Sequence, residues 1–394
     1  VEEVGVGQRR DDGVAVLGMV GAGQLARMTH QAVVGLAIEL RVLAAAADDS
    51  AALVTPGAAV GDWHALDDLE EFAAGCDVVT FDHELVDPAH LAALADAGHV
   101  LRPSPVAERF AQDKLHQRTA LAAAGFPVPA HADVADPADL LAFGEAHGWP
   151  VVAKAVRGGY DGRGVWVLDD RAAAQALWDE VEGTSTSLLV EAHVPIVREL
   201  AVAVARRPSG EQRAWAVTET VQRDGICVEL LAPAPVAPEV AEAARDLAER
   251  LVAHVDGTGV VAVELFQTAD GLLVNELALR PHNSVHWTIE GARTSQFANH
   301  ARAVLDLPLG DTAMAAPCAA TVNVLGPADG SDPRTRLAAA LAVPGVAVHL
   351  YGKAARPGRK LGHVTALGDD PADTRARARA GAEALTGEPV GAAD

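Results

Sequence analysis

A chain of 394 residues, half of them apolar and only 4% aromatic, is too long for one core and fits two or three Ala- and Val-rich α/β domains. Acidic residues outnumber basic ones by 54 to 31, and the net charge of -23 argues against general nucleic-acid binding, leaving a small anionic substrate to find a local basic pocket. No apolar run reaches the roughly 18 residues of a membrane span, and the charged opening lacks the apolar stretch of a secretory signal, so a cytoplasmic protein without a membrane partner is expected.

Residues 1–13 read as a disordered lead-in, whose start at Val1 rather than Met points to trimming, and residues 387–394 as a frayed tail. From Val14 short apolar strands (14–17, 40–44, 78–81) alternate with helices (24–34, 66–74, 88–97), the pattern of a parallel sheet wrapped by helices. A helix over 113–124 ends at Gly125-Phe126-Pro127. Strands at 151–155 and 165–168 flank a Gly-rich loop, and β-branched runs at 188–190, 200–205, 214–218 and 228–231 predict a largely antiparallel, α+β unit. Strands near 320–324 and 346–350 and a last helix near 372–385 make a third, smaller unit. Cys76, Cys227 and Cys318 lie too far apart for a ligand set and read as small buried apolar residues.

Five segments carry chemistry. Gly18-Met19-Val20-Gly21-Ala22-Gly23 joins the first strand to the first helix, where free amides approach a phosphate. A dinucleotide fold would close its second strand with an acid, but no acid follows that strand until Asp48. A phosphorylated substrate is therefore preferred over NAD. The loop after Lys154 holds Gly158, Gly159, Gly162 and Gly164, a mobile flap able to wrap a polyphosphate. Asp270-Gly271 signals a hairpin, and a turn centred on Asp270 sets Glu264 opposite Glu276. Opposed carboxylates cost stability unless a cation lies between them, which suits Mg²⁺ on nucleotide phosphates. Arg280 and His282, just beyond, are placed to hold a small oxyanion such as bicarbonate. No HExxH-type spacing supports zinc. Finally, the loop over 351–363 gathers Lys353, Arg356, Arg359 and Lys360, a phosphate-binding composition in an acidic chain.

Taken in order, these motifs resemble the N5-carboxyaminoimidazole ribonucleotide synthetases, a family of ATP-grasp enzymes. The most specific are Gly158-Gly159-Tyr160-Asp161-Gly162-Arg163-Gly164, Arg280-Pro281-His282-Asn283-Ser284 with His286-Trp287-Thr288, and Arg356-Pro357-Gly358-Arg359-Lys360. The resemblance implies an ATP-grasp fold, α/β and α+β, with an N-terminal parallel-sheet domain (13–112), an ATP-grasp domain (113–310, flap subdomain about 150–205) and a small C-terminal domain (311–386). It implies ATP at Arg109, Lys154, Gly159, Tyr160, Asp161, Gly162, Gly164, Glu191, Val194, Glu199 and Asn275, and Mg²⁺ at Glu264 and Glu276. Aminoimidazole ribonucleotide falls to Glu84, Tyr160, Asp161, Arg163, Lys353, Arg359 and Lys360. Arg280, His282, Asn283 and Lys353 are the implied catalytic residues for bicarbonate and its carboxyphosphate.

The implied reaction is ATP-dependent carboxylation in purine biosynthesis, by a ligase expected as a homodimer. Four residues depart from the family pattern: Val285 stands for a usual glycine, Gln222 for a common histidine, Leu279 for a frequent proline and Val165 for a frequent glutamine. Two alternatives differ in chemistry. A formate-using glycinamide ribonucleotide transformylase shares the nucleotide machinery, and a non-catalytic nucleotide-binding protein follows if Val285 spoils the loop.

Overall fold

The computed structural model describes residues 14–159 and 162–390. The expected lead-in at 1–13 lies outside them, as do Tyr160 and Asp161. The N-terminal unit holds strands β1 (Val16–Val20), β2 (Glu39–Ala44), β3 (Gly57–Val60) and β4 (Val78–Phe81), with helices α1 (Gln24–Val34), α2 (Leu66–Ala74), α3 (Pro88–Asp96) and α4 (Pro105–Gln112). The strands pair in parallel in the order β3-β2-β1-β4. Sequence patterning missed β3, whose Gly57-Ala58-Ala59 lacks the β-branched residues that mark strands.

Next come α5 (Lys114–Ala123), β5 (His131–Val134), α6 (Pro137–His147), β6 (Val151–Ala155), β7 (Val165–Leu168), α7 (Arg171–Val181) and β8 (Leu188–Ala192). Their strands form a small antiparallel sheet in the order β5-β8-β6-β7. Asp113 starts α5 by accepting from the His116 amide at 2.8 Å.

The large sheet holds nine strands. These are β9 (Arg198–Arg206), β10 (Gln212–Ala214), β11 (Thr218–Arg223), β12 (Ile226–Ala232), β13 (Gly259–Thr268), β14 (Gly271–Ala278), β15 (Cys318–Leu325), β16 (Val346–Leu350) and β17 (Lys360–Gly368). The expected strand over 214–218 is instead the crossing between β10 and β11, which pair with different halves of β9 around the buried Trp215. β17 was hidden because it begins inside the basic loop and contains Gly362. That glycine is required by packing: a Cβ there would lie 2.4 Å from the His349 carbonyl oxygen. β15 pairs with β12, so the C-terminal strands extend the middle sheet rather than forming their own.

Helices α8 (Pro238–His254), α9 (Thr288–Gly291), α10 (Gln296–Val304), α11 (Leu337–Leu341) and α12 (Pro371–Thr386) cover these strands. α8 buries Ala244, Leu247, Ala248, Leu251 and Val252 on a core shared with β9 and β13. α10 packs Ala301 and Val304 into the N-terminal core, and His300 Nε2 lies 3.0 Å from Thr80 Oγ1. The segment after α12 is not frayed where it is described. Val390 packs on the C-terminal core, and its amide donates to Glu383. Among the described residues no helix is long and apolar enough to cross a membrane.

Candidate active site

The β13–β14 hairpin sets Glu264 directly opposite Glu276, by a route the sequence did not show. The strand pairing runs Thr268↔Gly271 to Leu265↔Val274, so an unbroken ladder would have put Asn275 opposite Glu264. A bulge between Glu264 and Leu265 slips the register by one and leaves Asn275 as the extra residue. Val274 can then stay in the core while Glu276 faces Glu264. Burial, followed by the charge of Glu276, pushes the Glu264 carboxyl up to about 7. Burial acts the same way on Glu276, but the Lys114 ammonium prevails and holds it below the ordinary range.

Three cations face this pair from α5 and the small sheet. Lys114 and Arg118 are four residues apart on α5 and so share a face. Lys114 Nζ lies 2.5 Å from Glu276, and Arg118 Nε lies 2.6 Å from Glu191. Arg118 also donates to the carbonyl of Asn275, pinning the bulge. In the small sheet Glu191 is opposite Val152, so it shares a face with Lys154. Lys154 Nζ is 2.8 Å from Glu191 and 3.3 Å from Asn275 Oδ1, leaving one ammonium hydrogen for a ligand.

The resemblance gave the ATP phosphates to Arg109 and Lys154. Arg109 is exposed on α4, where its charge helps to lower the Asp113 pKa, and Lys114 joins Lys154 at the acidic pair. One signal was readable: a lysine in the first turn of a helix opposes the macrodipole, so it needs another reason to be there. Val194 follows β8, and Glu199 lies on β9 with its pKa raised by burial, against a hydrogen bond from Gln222 that lowers it. The departure at Gln222 thus keeps a partner for that acid.

Arg280 lies 2.7 Å from Glu84, so the loop cation and the N-terminal acid assigned to different ligands meet each other. The buried Glu108, a residue that the sequence reading missed, stands in the same cluster, its carboxyl pushed well above the ordinary range by burial and then by the Glu84 charge. His282 Nδ1 lies 3.4 Å from the Ser284 amide and 2.9 Å from the Ser284 hydroxyl, an arrangement that suits a ring proton on Nε2, 3.8 Å from Glu264. Burial, then the charges of Arg280 and Lys360, drive this imidazole down to about 3. His282 can therefore offer an anion a neutral N–H, not a positive charge. Both amide atoms of Asn283 are buried without a partner among the described residues, consistent with a ligand-facing role. Val285 is fully buried and packs with Trp215, Val260 and Trp287, so its extra bulk is spent in the core and not on the loop's open side.

The basic loop and the first Gly-rich turn come together. Lys353 Nζ donates to Gln24 Oε1, and Ser50 Oγ donates 2.5 Å to the carbonyl of Tyr351. Arg359 reaches the Ala354 carbonyl at 3.1 Å, while Lys360 stands close enough to lower the pKa of Glu264 and His282. Asp82 accepts from the amides of Gly23 and Ala26, so those two are not available to a phosphate. This carboxylate also fills the place where a dinucleotide would set its pyrophosphate.

The flap root is tied to α5 by Arg157–Asp113 at 3.0 Å and by the Lys114 amide donating to the Val156 carbonyl. Its far side rests on the β11–β12 turn, where a Cβ on Gly225 would lie 2.7 Å from Gly162 Cα. Gly159, Arg163 and Gly164 lie around a cavity of about 520 Å³ beneath it.

Three family models match the chain in order. They are a ribonucleotide synthetase preATP-grasp domain over residues 14–112, an ATP-grasp domain over 119–297 and a phosphoribosylaminoimidazole carboxylase C-terminal domain over 319–377. The N5-carboxyaminoimidazole ribonucleotide synthase of Mycobacterium tuberculosis is 51% identical over 377 residues, covering 94% of this chain and 88% of that protein. The solved synthetase from Thermus thermophilus is 35% identical with a TM-score of 0.85, covering 94% of this chain and 99% of its own. The Aspergillus clavatus synthase, solved with ADP and 5-aminoimidazole ribonucleotide, is 32% identical with a TM-score of 0.86, covering 94% and 98%. Matched along nearly its whole length at such identity, the chain belongs to the N5-carboxyaminoimidazole ribonucleotide synthase family of ATP-grasp ligases.

Proposed function

We propose that this protein carboxylates the exocyclic amine of 5-aminoimidazole ribonucleotide at the expense of ATP, with bicarbonate as the carboxyl source. A bicarbonate oxygen attacks the γ-phosphorus, ADP leaves, and carboxyphosphate forms. The amine then attacks the carboxyl carbon, phosphate leaves, and the nitrogen gives up a proton. The observation that carries this reading is the convergence of two anion-binding arms on one acidic pair. Lys114 and Lys154 flank the pair from α5 and the small sheet, and His282 and Lys360 from the other side, with Arg280 beside His282 on Glu84. A match to the carboxylase C-terminal domain disfavours the formate-using alternative.

No cluster of three or more His, Cys, Asp or Glu suited to a metal occurs among the described residues. Glu264 and Glu276 nevertheless fit Mg²⁺, because two opposed carboxylates plus nucleotide phosphates are a sufficient oxygen set. Burial and the facing Glu276 oppose the ionisation of Glu264, and a divalent cation would favour it. When bound, Mg²⁺ would neutralise charge on the transferring phosphoryl group.

The remaining work is positioning by the chain itself. Lys154 would give its remaining N–H to a phosphate oxygen, with Gly159, Tyr160, Asp161, Gly162 and Gly164 closing over the nucleotide. Glu191 and Val194 would meet adenine through their main chain, and Glu199 the ribose, with Asn275 beside the metal ligands. Arg280, His282 and Asn283 would orient bicarbonate, and Lys353 the intermediate. Glu84, Tyr160, Asp161, Arg163, Arg359 and Lys360 would hold the ribonucleotide. Carboxyphosphate is labile in water, which gives flap closure a purpose. A homodimer is proposed on fold type alone, and a cytoplasmic location agrees with three free cysteines.

Phosphate release tests the reaction. It should be fast only when ATP, bicarbonate and the ribonucleotide are present together. Equal release without the ribonucleotide, or formate serving in place of bicarbonate, rules the reading out. Flap closure makes a separate prediction: Mg-ATP should suppress tryptic cleavage after Arg157 and Arg163. Unchanged cleavage would mark the loop as a rigid hairpin.

A further inference from the structure

The 280–288 loop has little regular structure of its own, only a one-turn 3₁₀ segment over Asn283–Val285. Yet it must present Arg280, His282 and Asn283 in fixed directions. Its anchor is Gln296, the first residue of α10, which is wholly buried. Gln296 Oε1 accepts from the His282 amide at 2.7 Å, and Gln296 Nε2 donates to the His282 carbonyl at 2.8 Å. A backbone N–H can only donate and a carbonyl can only accept, so these contacts fix which way the side-chain amide points.

The second Nε2 hydrogen faces His286 Nδ1 at 2.9 Å, which makes that nitrogen an acceptor and puts the imidazole proton on Nε2. The His286 ring lies 4.9 Å, centroid to centroid, from that of His363, whose Nδ1 is 2.8 Å from the Tyr351 hydroxyl. Tyr351 in turn begins the basic loop that carries Lys353. One buried amide thus stands between the oxyanion loop and the root of the ribonucleotide loop. The backbone N–H of Gln296 donates to Thr288 Oγ1 at 3.0 Å, so both ends of the residue are held.

We propose that Gln296 is a positioning residue for the carboxylation step, one that clamps the His282 main chain and holds His286 as a neutral Nδ1 acceptor. It touches no substrate and acts only through the loop. The proposal rests on the reaction given above for its kinetic consequences, but its tautomer does not.

Gln296→Met removes all three contacts at similar volume, and Gln296→Glu keeps the acceptor while losing the donors. Both should lower kcat roughly ten- to a hundredfold through misplacement of the loop while the KM for ATP stays within about twofold. ATP hydrolysis should also outrun carboxylated product, because a loosened loop exposes the intermediate. In the wild-type protein, ¹⁵N spectra should show His286 with an unprotonated Nδ1 and a protonated Nε2. A wild-type His286 protonated on Nδ1 overturns the proposal even if neither variant folds. So does a folded Gln296→Met enzyme with kcat within threefold of wild type, or one in which only the KM for ATP changes. If the wild-type enzyme carboxylates nothing, the reaction is wrong, and the tautomer still decides the clamp.

Discussion

Glu276→Gln should cost a hundred- to a thousandfold in kcat, roughly the loss seen when one electrostatic stabiliser of a transition state is removed. The amide keeps the size of the carboxylate and can still meet Lys114, so the hairpin should survive. What disappears is half of the anionic oxygen set facing Glu264. A second readout separates metal binding from folding. Glu264 titrates at about 7 in the folded chain, above the ordinary carboxyl value of 4.5. Its folded pKa is raised, so its favourable contribution is complete below about 4.5 and is lost as pH rises through 7. A cation that binds the ionised pair reverses that loss. Mg²⁺ should therefore raise the melting temperature of the wild-type protein more at pH 8 than at pH 5.5, and should do so weakly in Glu276→Gln. Near-normal turnover in the variant, or a pH-independent metal effect, removes Glu276 from the metal site.

The hairpin also shows where sequence reasoning succeeds and why it stops. Asp270-Gly271 and the symmetric glutamates gave the right pairing, but symmetry about Asp270 was not its cause. The turn is two residues, Ala269 and Asp270, and only the bulge at Glu264 restores the facing pair. Strands rich in β-branched residues were legible end to end, as at Val151–Ala155 and Val346–Leu350. β17 was not, because its glycine answers to a neighbouring carbonyl far along the chain, which no local pattern records. The site divided the same way. Residues inside dense motifs, such as Arg280 and His282, were found. Arg118, Gln296 and Glu108 were missed, since each sits on an ordinary helix and earns its role from a tertiary partner.

Lys114 is the sharpest instance, and it makes the second large prediction. Lys114→Met should reduce kcat/KM for ATP roughly a hundredfold, the upper range for losing a charge-assisted hydrogen bond. Its ammonium is 2.5 Å from Glu276 and only 13% exposed, so it is well placed to set the charge of that carboxylate and to meet an incoming phosphate. Stability should change little. The Glu276 side chain is 41% exposed, so solvent screens the pair. A cation in the first turn of α5 also opposes the helix dipole, and removing it returns part of any loss. Arg109→Met is the matched control, because Arg109 is exposed on α4 and its charge acts on Asp113. It should leave kcat/KM within about threefold, since losing an exposed, solvent-screened charge costs little. If instead Arg109→Met is the damaging change and Lys114→Met is silent, then the ATP phosphates are held from α4, and the arrangement of cations around Glu276 has a structural role only.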